Sequence, residues 1–303
     1  RMAPMIFGGS VVGHLAGASV GREGAALQMA GSITDSAARL ARLPADQRRL
    51  LIAASLAGGW GAVFGVPFTG IAFMLQVTRR HRWQALLPAV CSAFAGKVVV
   101  DALGYRMTNR PHLPAPRWVI ALPFQLLLAG IAFGLVARLF VWLLHSIRAQ
   151  MAHLVGWPPA RPVVGGVATL GLMVLVGRDY LGLSSTLLTP AFAGDHVDWW
   201  VPLLKLLFTA IALGSGFVGG EVLPLFVMGG TLGAAIAPGL HAPAPLLATT
   251  GSAAAFSAAA GVMLTGVVLT VEQFGWNTLL PALIVGATAR LAAGRPGLYV
   301  AHH

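Results

Sequence analysis

Only three glutamates occur in this chain of 303 residues, and two of them lie in glycine-rich turns between apolar runs. Residues 21–24 read Gly-Arg-Glu-Gly, and residues 219–224 read Gly-Gly-Glu-Val-Leu-Pro and enter an uncharged stretch that lasts until Glu272. An ionised carboxylate is costly in a low-dielectric setting, so a mostly apolar chain avoids it. Two glutamates at glycine-flanked helix starts therefore indicate an ion pathway rather than ordinary solvent-exposed surface residues.

The composition predicts an integral membrane protein. Hydrophobic residues make up 57% and charged residues 10% of the chain, and the mean hydropathy is +0.79. A soluble domain carries about 25% charged residues, and a disordered chain has low hydrophobicity. The 38 glycines and 19 prolines fit an all-α bundle with broken helices and close backbone packing.

The net charge of +11 does not indicate a nucleic-acid partner. The arginines form clusters between apolar runs, which is typical of short loops retained on the positive side of a lipid bilayer. No soluble basic domain is present for nucleic acid to bind. The clusters contain Arg39, Arg42, Arg48 and Arg49, then Arg79, Arg80 and Arg82, then Arg106, Arg110 and Arg117.

Apolar runs predict a polytopic bundle of roughly ten or more helices, many of them shorter than the ~20 residues that cross a bilayer. Short helices are tolerated at that depth where their ends are buried in protein or line a polar cavity. The hydrophilic stretch 178–200 is expected to be a loop. Because the chain opens with Arg1 and enters an apolar run at once, we expect a fragment of a longer reading frame. The runs are 2–20, 50–65, 68–78, 83–100, 118–144, 163–176, 201–214, 223–237, 245–260, 264–271 and 278–293.

An internal repeat is visible in the spacing of two Thr-Gly helices. Gly70 follows Glu23 by 47 positions, and Gly266 follows Glu221 by 45 positions. Two glutamate-bearing turns, each followed at nearly equal distance by a similar apolar helix, indicate a duplicated unit. Transporters often place their ion site where such repeats meet, at the ends of discontinuous helices.

The two turns have the chemistry of an anion site. The first N–H groups of a helix lack partners and carry partial positive charge, so an anion is their natural occupant. Two facing helix starts can dehydrate a small anion without a full positive charge, which keeps binding reversible. The carboxylate of Glu23 can occupy the place of the anion and leave it on protonation. The alternative role for Glu23 is a structural ion pair with Arg22 or a neighbouring residue.

Residues 21–24 resemble the Gly-Arg-Glu-Gly-Pro motif of the CLC chloride channel and transporter family, with Ala25 in place of proline. Residues 219–224 resemble its second anion motif, with Val222 at the phenylalanine position. Residues 295–299 resemble the late segment that supplies an anion-contacting tyrosine, here Tyr299. The resemblance extends over residues 2–303, whereas the family's earlier serine motif is absent.

The resemblance implies an all-α polytopic membrane protein: a CLC-type inverted-repeat bundle with broken, re-entrant helices. It implies one domain over residues 1–303, with part of the first repeat in 1–110 and the second repeat in 111–303. It further implies a homodimer in a bacterial inner membrane. This homodimer is expected to move a small anion and protons, without enzyme activity, metal or cofactor. Glu23 matches the gating glutamate. The expected anion-binding residues are Gly21, Arg22, Gly24, Gly220, Glu221, Val222, Leu223 and Tyr299.

Two departures from the family pattern bear on the transported ion. The exchangers carry an inner proton-transfer glutamate at the position of Val77, but this chain has Gln76-Val77, which favours a channel. Glu221 resembles the second-motif glutamate of the fluoride/proton antiporter branch, although that branch has threonine where Leu223 stands. The hypothesis is therefore fluoride/proton antiport, with a passive chloride channel as the alternative. An intramembrane enzyme and an inactive remnant are the remaining hypotheses.

Three other residues receive structural interpretations. Glu272 is expected to pair with an arginine. Lys205, near the end of an apolar run, is expected to extend its side chain toward the membrane surface. For His14, just before the first turn, a pH-sensing role and a hydrogen-bonded packing role are both open, and the packing role is favoured.

Overall fold

The computed structural model describes residues 2–78, 82–105, 113–294 and 298, and its described part contains thirteen α-helices. Three short 3-10 turns, at Pro158–Ala160, Ser185–Leu187 and Trp276–Thr278, connect some of them. The helices are α1 (Met2–Leu15), α2 (Glu23–Leu40), α3 (Ala45–Phe64), α4 (Pro67–Val77), α5 (Leu86–Ala102), α6 (Ala121–Leu154), α7 (Arg161–Val176), α8 (Leu188–Ala193), α9 (Trp200–Ser215), α10 (Val222–Leu240), α11 (Ala244–Ala260), α12 (Met263–Phe274) and α13 (Leu279–Ala293).

Within the described residues, three helical segments are long and apolar enough to cross a membrane: Ala121–Leu154, Pro158–Val176 and Val222–Leu240. Other apolar helices are shorter, as the sequence predicts for a bundle with broken helices. The segment Arg178–Trp200 differs from its prediction as a plain loop, because it contains the turn Ser185–Leu187 and α8. Leu188 and Ala191 of this helix are buried, so local packing outweighs the hydrophilic composition of the stretch.

Two helix breaks have nearly identical backbone geometry. Gly65 ends α3 in the left-handed conformation (φ 67°), and Gly261 ends α11 in the same way (φ 75°). Each is followed by a valine with φ of −119°, Val66 or Val262, before the next helix begins. Glycine tolerates positive φ without steric cost, so the chain turns sharply at both places. The shared geometry supports the duplicated unit read from the sequence.

The two helices after these breaks cap each other. Near the end of α12, the Glu272 carboxylate accepts hydrogen bonds from the Thr69 backbone N–H (2.8 Å), the Thr69 hydroxyl (2.7 Å) and the Phe68 N–H (3.1 Å). Near the end of α4, Gln76 Oε1 accepts from the Thr265 N–H and hydroxyl, both at 2.7 Å. Among the described residues Glu272 makes no ion pair with an arginine, and the structure shows it in a capping role instead. Its carboxylate satisfies otherwise unpaired N–H groups of a helix start.

A buried aromatic cluster joins the two halves of the chain. Trp60 stacks on Phe64 with ring centroids 4.7 Å apart, and it contacts Phe256 at 5.8 Å. Phe226 completes the contact from α10, lying 6.1 Å from Phe64 and 5.7 Å from Phe256. Aromatic pairs of this kind add about 0.5–1.5 kcal/mol each beyond their buried area. The cluster therefore fixes α3 against α10 and α11.

Candidate functional site

The two glycine-rich turns are hydrogen-bonded to each other. The Gly21 N–H donates to the Gly220 carbonyl at 2.7 Å, and the Gly220 N–H donates to the Gly21 carbonyl at 2.6 Å. This antiparallel bridge brings together residues almost two hundred positions apart in sequence. The starts of α2 and α10 therefore lie side by side, and each presents N–H groups that have no partner within the helix.

The turns approach so closely that only glycine fits. A Cβ on Gly24 would lie 2.6 Å from the Gly220 Cα, and a Cβ on Gly220 would lie 2.5 Å from the Gly24 nitrogen. Backbone atoms cannot move away as a flexible side chain can. The glycines at 24 and 220 are thus required by contact between two backbones.

The two turns are equivalent, but their glutamates are offset by one residue. Arg22 precedes α2 with φ −88° and ψ −19°, and Glu221 precedes α10 with φ −94° and ψ −13°. When the two turns are aligned on the paired glycines Gly21 and Gly220, Arg22 therefore corresponds to Glu221, and Glu23 corresponds to Val222. Sequence comparison aligned the two glutamates with each other, whereas the structure aligns the glycines that pair.

Glu23 is buried at the start of α2, with 6% of its surface exposed. Its Oε1 lies 3.9 Å from Arg22 Nε, and the Arg22 side chain is 62% exposed. Its Oε2 is buried and has no hydrogen-bond partner among the residues that the structure describes. Because the arginine contact is long and solvent-facing, it leaves one carboxylate oxygen without compensation. A structural ion pair alone does not explain this arrangement.

A cavity of about 670 Å³ contains Glu23 on its wall, and we call it the Glu23 cavity. Arg22 and Tyr105 also line it, and Arg22 Nη2 donates a hydrogen bond to the Tyr105 hydroxyl at 3.1 Å. Leu223 lines it from the second turn and is 7% exposed. The cavity is therefore lined by residues of both turns, and the exposed Arg22 is one of them.

Glu221 lies in a different environment from Glu23. It lines a cavity of about 440 Å³, here the Glu221 cavity, together with His145, Arg148 and Arg161. It also lines a separate cavity of about 1040 Å³ that contains Gly24 and Arg48. The one-residue offset between the turns thus places the two carboxylates in separate cavities. The basic side chains give the Glu221 cavity a positive lining that suits an anion.

The structure brings most of the predicted site residues together at the bridge. Val222 is buried at the first position of α10, 1% exposed. Tyr299 lies outside the described residues, so its predicted anion contact stays a prediction.

Val77, at the position of the family's inner proton-transfer glutamate, is 36% exposed at the end of α4. Its neighbour Gln76 is engaged in capping α12.

Sequence reasoning assigned Lys205 to the membrane surface, and the structure contradicts this. Lys205 is fully buried in α9, and its ammonium donates to Gly182 O and Ser19 Oγ at 2.8 Å. It also donates to Ser184 Oγ at 2.9 Å and to Tyr180 O at 3.3 Å. Ser19 belongs to the segment before Gly21. The other three acceptors lie within residues 180–184, directly before Ser185, which lines the Glu23 cavity. A lone lysine inside an apolar helix was the signal that could have revealed this role.

Known proteins with similar sequences belong to the family that the motifs resemble. A family model described as voltage gated chloride channel matches residues 1–294. The chain is 37% identical over 312 residues to the "Chloride/fluoride channel protein" of Pseudomonas syringae pv. tomato, which covers 99% of this chain and 68% of that protein. It is 28% identical over 322 residues to the "H(+)/Cl(-) exchange transporter ClcA" of Citrobacter koseri, covering 98% and 67% respectively.

Solved structures confirm the predicted all-α fold. The crystal structure of a CLC-type fluoride/proton antiporter superimposes with a TM-score of 0.90 at 31% identity, covering 95% of this chain and 73% of that chain. A slow cyanobacterial Cl−/H+ antiporter gives a TM-score of 0.84 at 21% identity over 97% and 72%, which shows the shared fold alone. These relatives are channels and antiporters rather than enzymes. With its paired glycine turns, helical fold and family match, the chain belongs to the voltage gated chloride channel family of integral membrane proteins.

Proposed function

We propose that this protein is a bacterial inner-membrane antiporter that exchanges a small halide, fluoride in particular, for protons. The observation that carries the proposal is the buried, unpartnered Oε2 of Glu23 at the paired helix starts. From the resemblance to this family we also infer a homodimer in the lipid bilayer, with one pore in each subunit.

The halide binds at the N-termini of α2 and α10. Backbone N–H groups near Glu23 and Val222 supply hydrogen bonds, and the helix dipoles supply partial positive charge. Dipoles attract an anion without holding it as firmly as a full charge does, so the anion can leave again. The Gly21–Gly220 bridge keeps the two helix starts in register.

The Glu23 carboxylate competes with the halide for these donors. When ionised, it occupies the anion's place at the helix starts. When protonated, it is neutral and withdraws into the Glu23 cavity, which admits the halide. Each time the halide replaces the Glu23 carboxylate, Glu23 therefore takes up a proton. This links the halide flux to the proton flux.

Fluoride is favoured over chloride by Glu221. Fluoride is small and strongly hydrated, so its site needs close, strong donors. Glu221 directly precedes α10, and we infer that its side chain, when it holds a proton with the anion bound, adds an O–H donor next to the N–H groups of that helix. The Pseudomonas syringae relative is described as a chloride/fluoride channel protein, and the structural relative as a fluoride/proton antiporter, which supports the same choice.

A passive chloride channel is the second candidate. It is favoured by Gln76-Val77, since neither residue offers a carboxylate for inner proton transfer, and Gln76 Oε1 is occupied by Thr265. A channel passes halide without moving protons, so proton coupling separates the two candidates.

Purified protein in liposomes tests the proposal. A fluoride gradient should drive proton uptake in the wild type. Glu23→Gln should abolish that uptake while halide efflux continues, because glutamine cannot carry the proton. Unchanged proton uptake in Glu23→Gln contradicts the gating role. Halide flux without proton uptake in the wild type establishes the channel instead.

A further inference from the structure

His14 lies on the wall of the Glu23 cavity. Its ring Nδ1 is 2.8 Å from the carbonyl oxygen of Ser10, one turn earlier on α1. A carbonyl oxygen only accepts hydrogen bonds, so this contact requires a proton on Nδ1. In the neutral ring, Nε2 is then the nitrogen with the free lone pair.

The other ring nitrogen of His14, Nε2, has no hydrogen-bond partner within the described part of the chain. Among the described residues, three buried side-chain polar atoms lack a hydrogen bond: His14 Nε2, Glu23 Oε2 and Trp60 Nε1. Trp60 is part of the aromatic core, whereas the other two residues line one cavity. Leaving a buried polar atom unpaired costs about 1–3 kcal/mol. Two such atoms, one on a basic and one on an acidic side chain, therefore line the same cavity with unused hydrogen-bonding capacity.

The remaining polar groups that face this cavity do not substitute for His14. The Arg22 guanidinium keeps its proton, and the Tyr105 phenol accepts a hydrogen bond from it. Ser185 offers a hydroxyl, and Lys205 lies behind the same segment with its protons directed to Ser19, Gly182 and Ser184. Imidazole is the side chain that ordinarily gains and loses a proton near neutral pH.

We propose that His14 is the proton relay between the Glu23 cavity and the Glu23 carboxylate. The imidazolium gives the proton on Nε2 to Oε2, directly or through cavity water, and the carboxylate becomes a neutral carboxyl. The ring returns to its neutral form with Nδ1–H still bonded to Ser10. Water in the cavity then delivers one proton to Nε2, so each cycle passes a single proton. This role rests on the proposed function, because it requires proton-coupled transport.

Two substitutions separate proton relay from packing. In His14→Asn, the side-chain amide can reach the Ser10 carbonyl in place of Nδ1, but the group corresponding to Nε2 is lost. In His14→Gln, a polar atom is placed near the Nε2 position, but it does not titrate. His196 supplies a matched control, since its side chain is 80% exposed and lies 3.2 Å from Asp198, away from the cavity.

The experiment measures fluoride-driven proton uptake and halide efflux by the purified protein in liposomes across a range of pH. We expect both His14 variants to lower proton uptake by about tenfold or more, and His196→Asn to leave it unchanged. Free imidazole in the buffer should restore part of the rate. In a Glu23→Gln background, His14→Asn should not alter halide efflux, because no proton acceptor remains.

Three outcomes overturn the relay. Proton uptake at the wild-type rate in a folded His14 variant removes the role but leaves the proposed function intact. Equal loss of halide efflux with and without Glu23→Gln shows that His14 only supports packing. Halide flux without proton coupling in the wild type overturns both the relay and the proposed function. Size-exclusion chromatography verifies folding, and His14→Gln serves if His14→Asn does not fold.

Discussion

Gly24 and Gly220 meet so closely that a Cβ on Gly24 would lie 2.6 Å from the Gly220 Cα. The contact joins the first turn of α2 to the residue before Glu221. It therefore sets the distance between the two helix starts. It also sets the side of each turn from which the glutamate side chain projects. The proposed anion site therefore depends on this backbone contact more than on any single side chain.

Gly24→Ala should separate the two turns. The added methyl group meets backbone, so we expect a loss of stability of about 1–3 kcal/mol and loss of coupled transport. Gly8→Ala on α1 is the matched control, because its Cβ would meet nothing within 4 Å. Thermal unfolding in detergent and proton uptake in liposomes measure the two effects. A Gly24→Ala protein as stable and active as the Gly8→Ala protein would contradict the close contact.

The two reciprocal caps should differ in strength. Glu272→Ala leaves the Thr69 N–H, the Thr69 hydroxyl and the Phe68 N–H without their shared acceptor. Hydrogen bonds to a charged group contribute about 1.5–3 kcal/mol, and those to a neutral group about 0.5–1.5 kcal/mol. Glu272→Ala should therefore lower the unfolding temperature more than Gln76→Ala does.

Asp46→Ala is the control for the two caps, since the Asp46 side chain is 77% exposed and its contact with Arg49 is 3.5 Å long. Surface changes of this kind stay within about 0.5 kcal/mol. A larger loss of stability in Gln76→Ala than in Glu272→Ala would show that the charge on Glu272 does not strengthen the cap.

Lys205→Met should destabilise the segment that borders the Glu23 cavity. The substitution removes the donor to Ser19, Gly182 and Ser184, and each buried acceptor left unpaired costs about 1–3 kcal/mol. Lys97→Met is the control, because Lys97 is 39% exposed and pairs with Asp101 at 2.7 Å. Hydrogen exchange over residues 177–187 should rise in Lys205→Met and stay unchanged in Lys97→Met. Equal protection in both variants would mean that Lys205 does not hold this segment.

Much of the bundle could be predicted from the sequence because apolar runs and glycine turns are local signals. The helix after Trp118 was predicted to end at Leu144 but continues to Leu154, since helical hydrogen bonding extends through polar residues that hydropathy excludes. The reciprocal roles of Gln76 and Glu272 depend on contacts about 190 to 204 positions apart. No pattern within a single sequence predicts hydrogen bonds between residues so far apart. For the same reason the one-residue offset between Glu23 and Glu221 became visible only when the glycines were seen to pair.

The choice of halide should depend on Glu221 and Leu223. The carboxyl O–H proposed at 221 is a stronger hydrogen-bond donor than the amide N–H of glutamine, and fluoride needs a strong donor more than chloride does, so Glu221→Gln should slow fluoride more than chloride. Leu223 lines the Glu23 cavity at the position where a threonine is expected. Leu223→Thr adds a hydroxyl donor at that wall, and a hydrogen bond to an anion contributes about 1.5–3 kcal/mol. Fluoride transport should therefore rise while chloride transport changes little.

Efflux of fluoride and of chloride from separately loaded liposomes measures both effects in the same preparation. Leu223→Val is the matched control for Leu223→Thr, because valine has the shape of threonine without its hydroxyl. If the hydroxyl is the missing donor, the threonine variant should exceed the valine variant for fluoride alone. A strong chloride preference that neither Glu221→Gln nor Leu223→Thr alters would assign the protein to the passive chloride channels, since the extra donors would then have no part in selecting the ion.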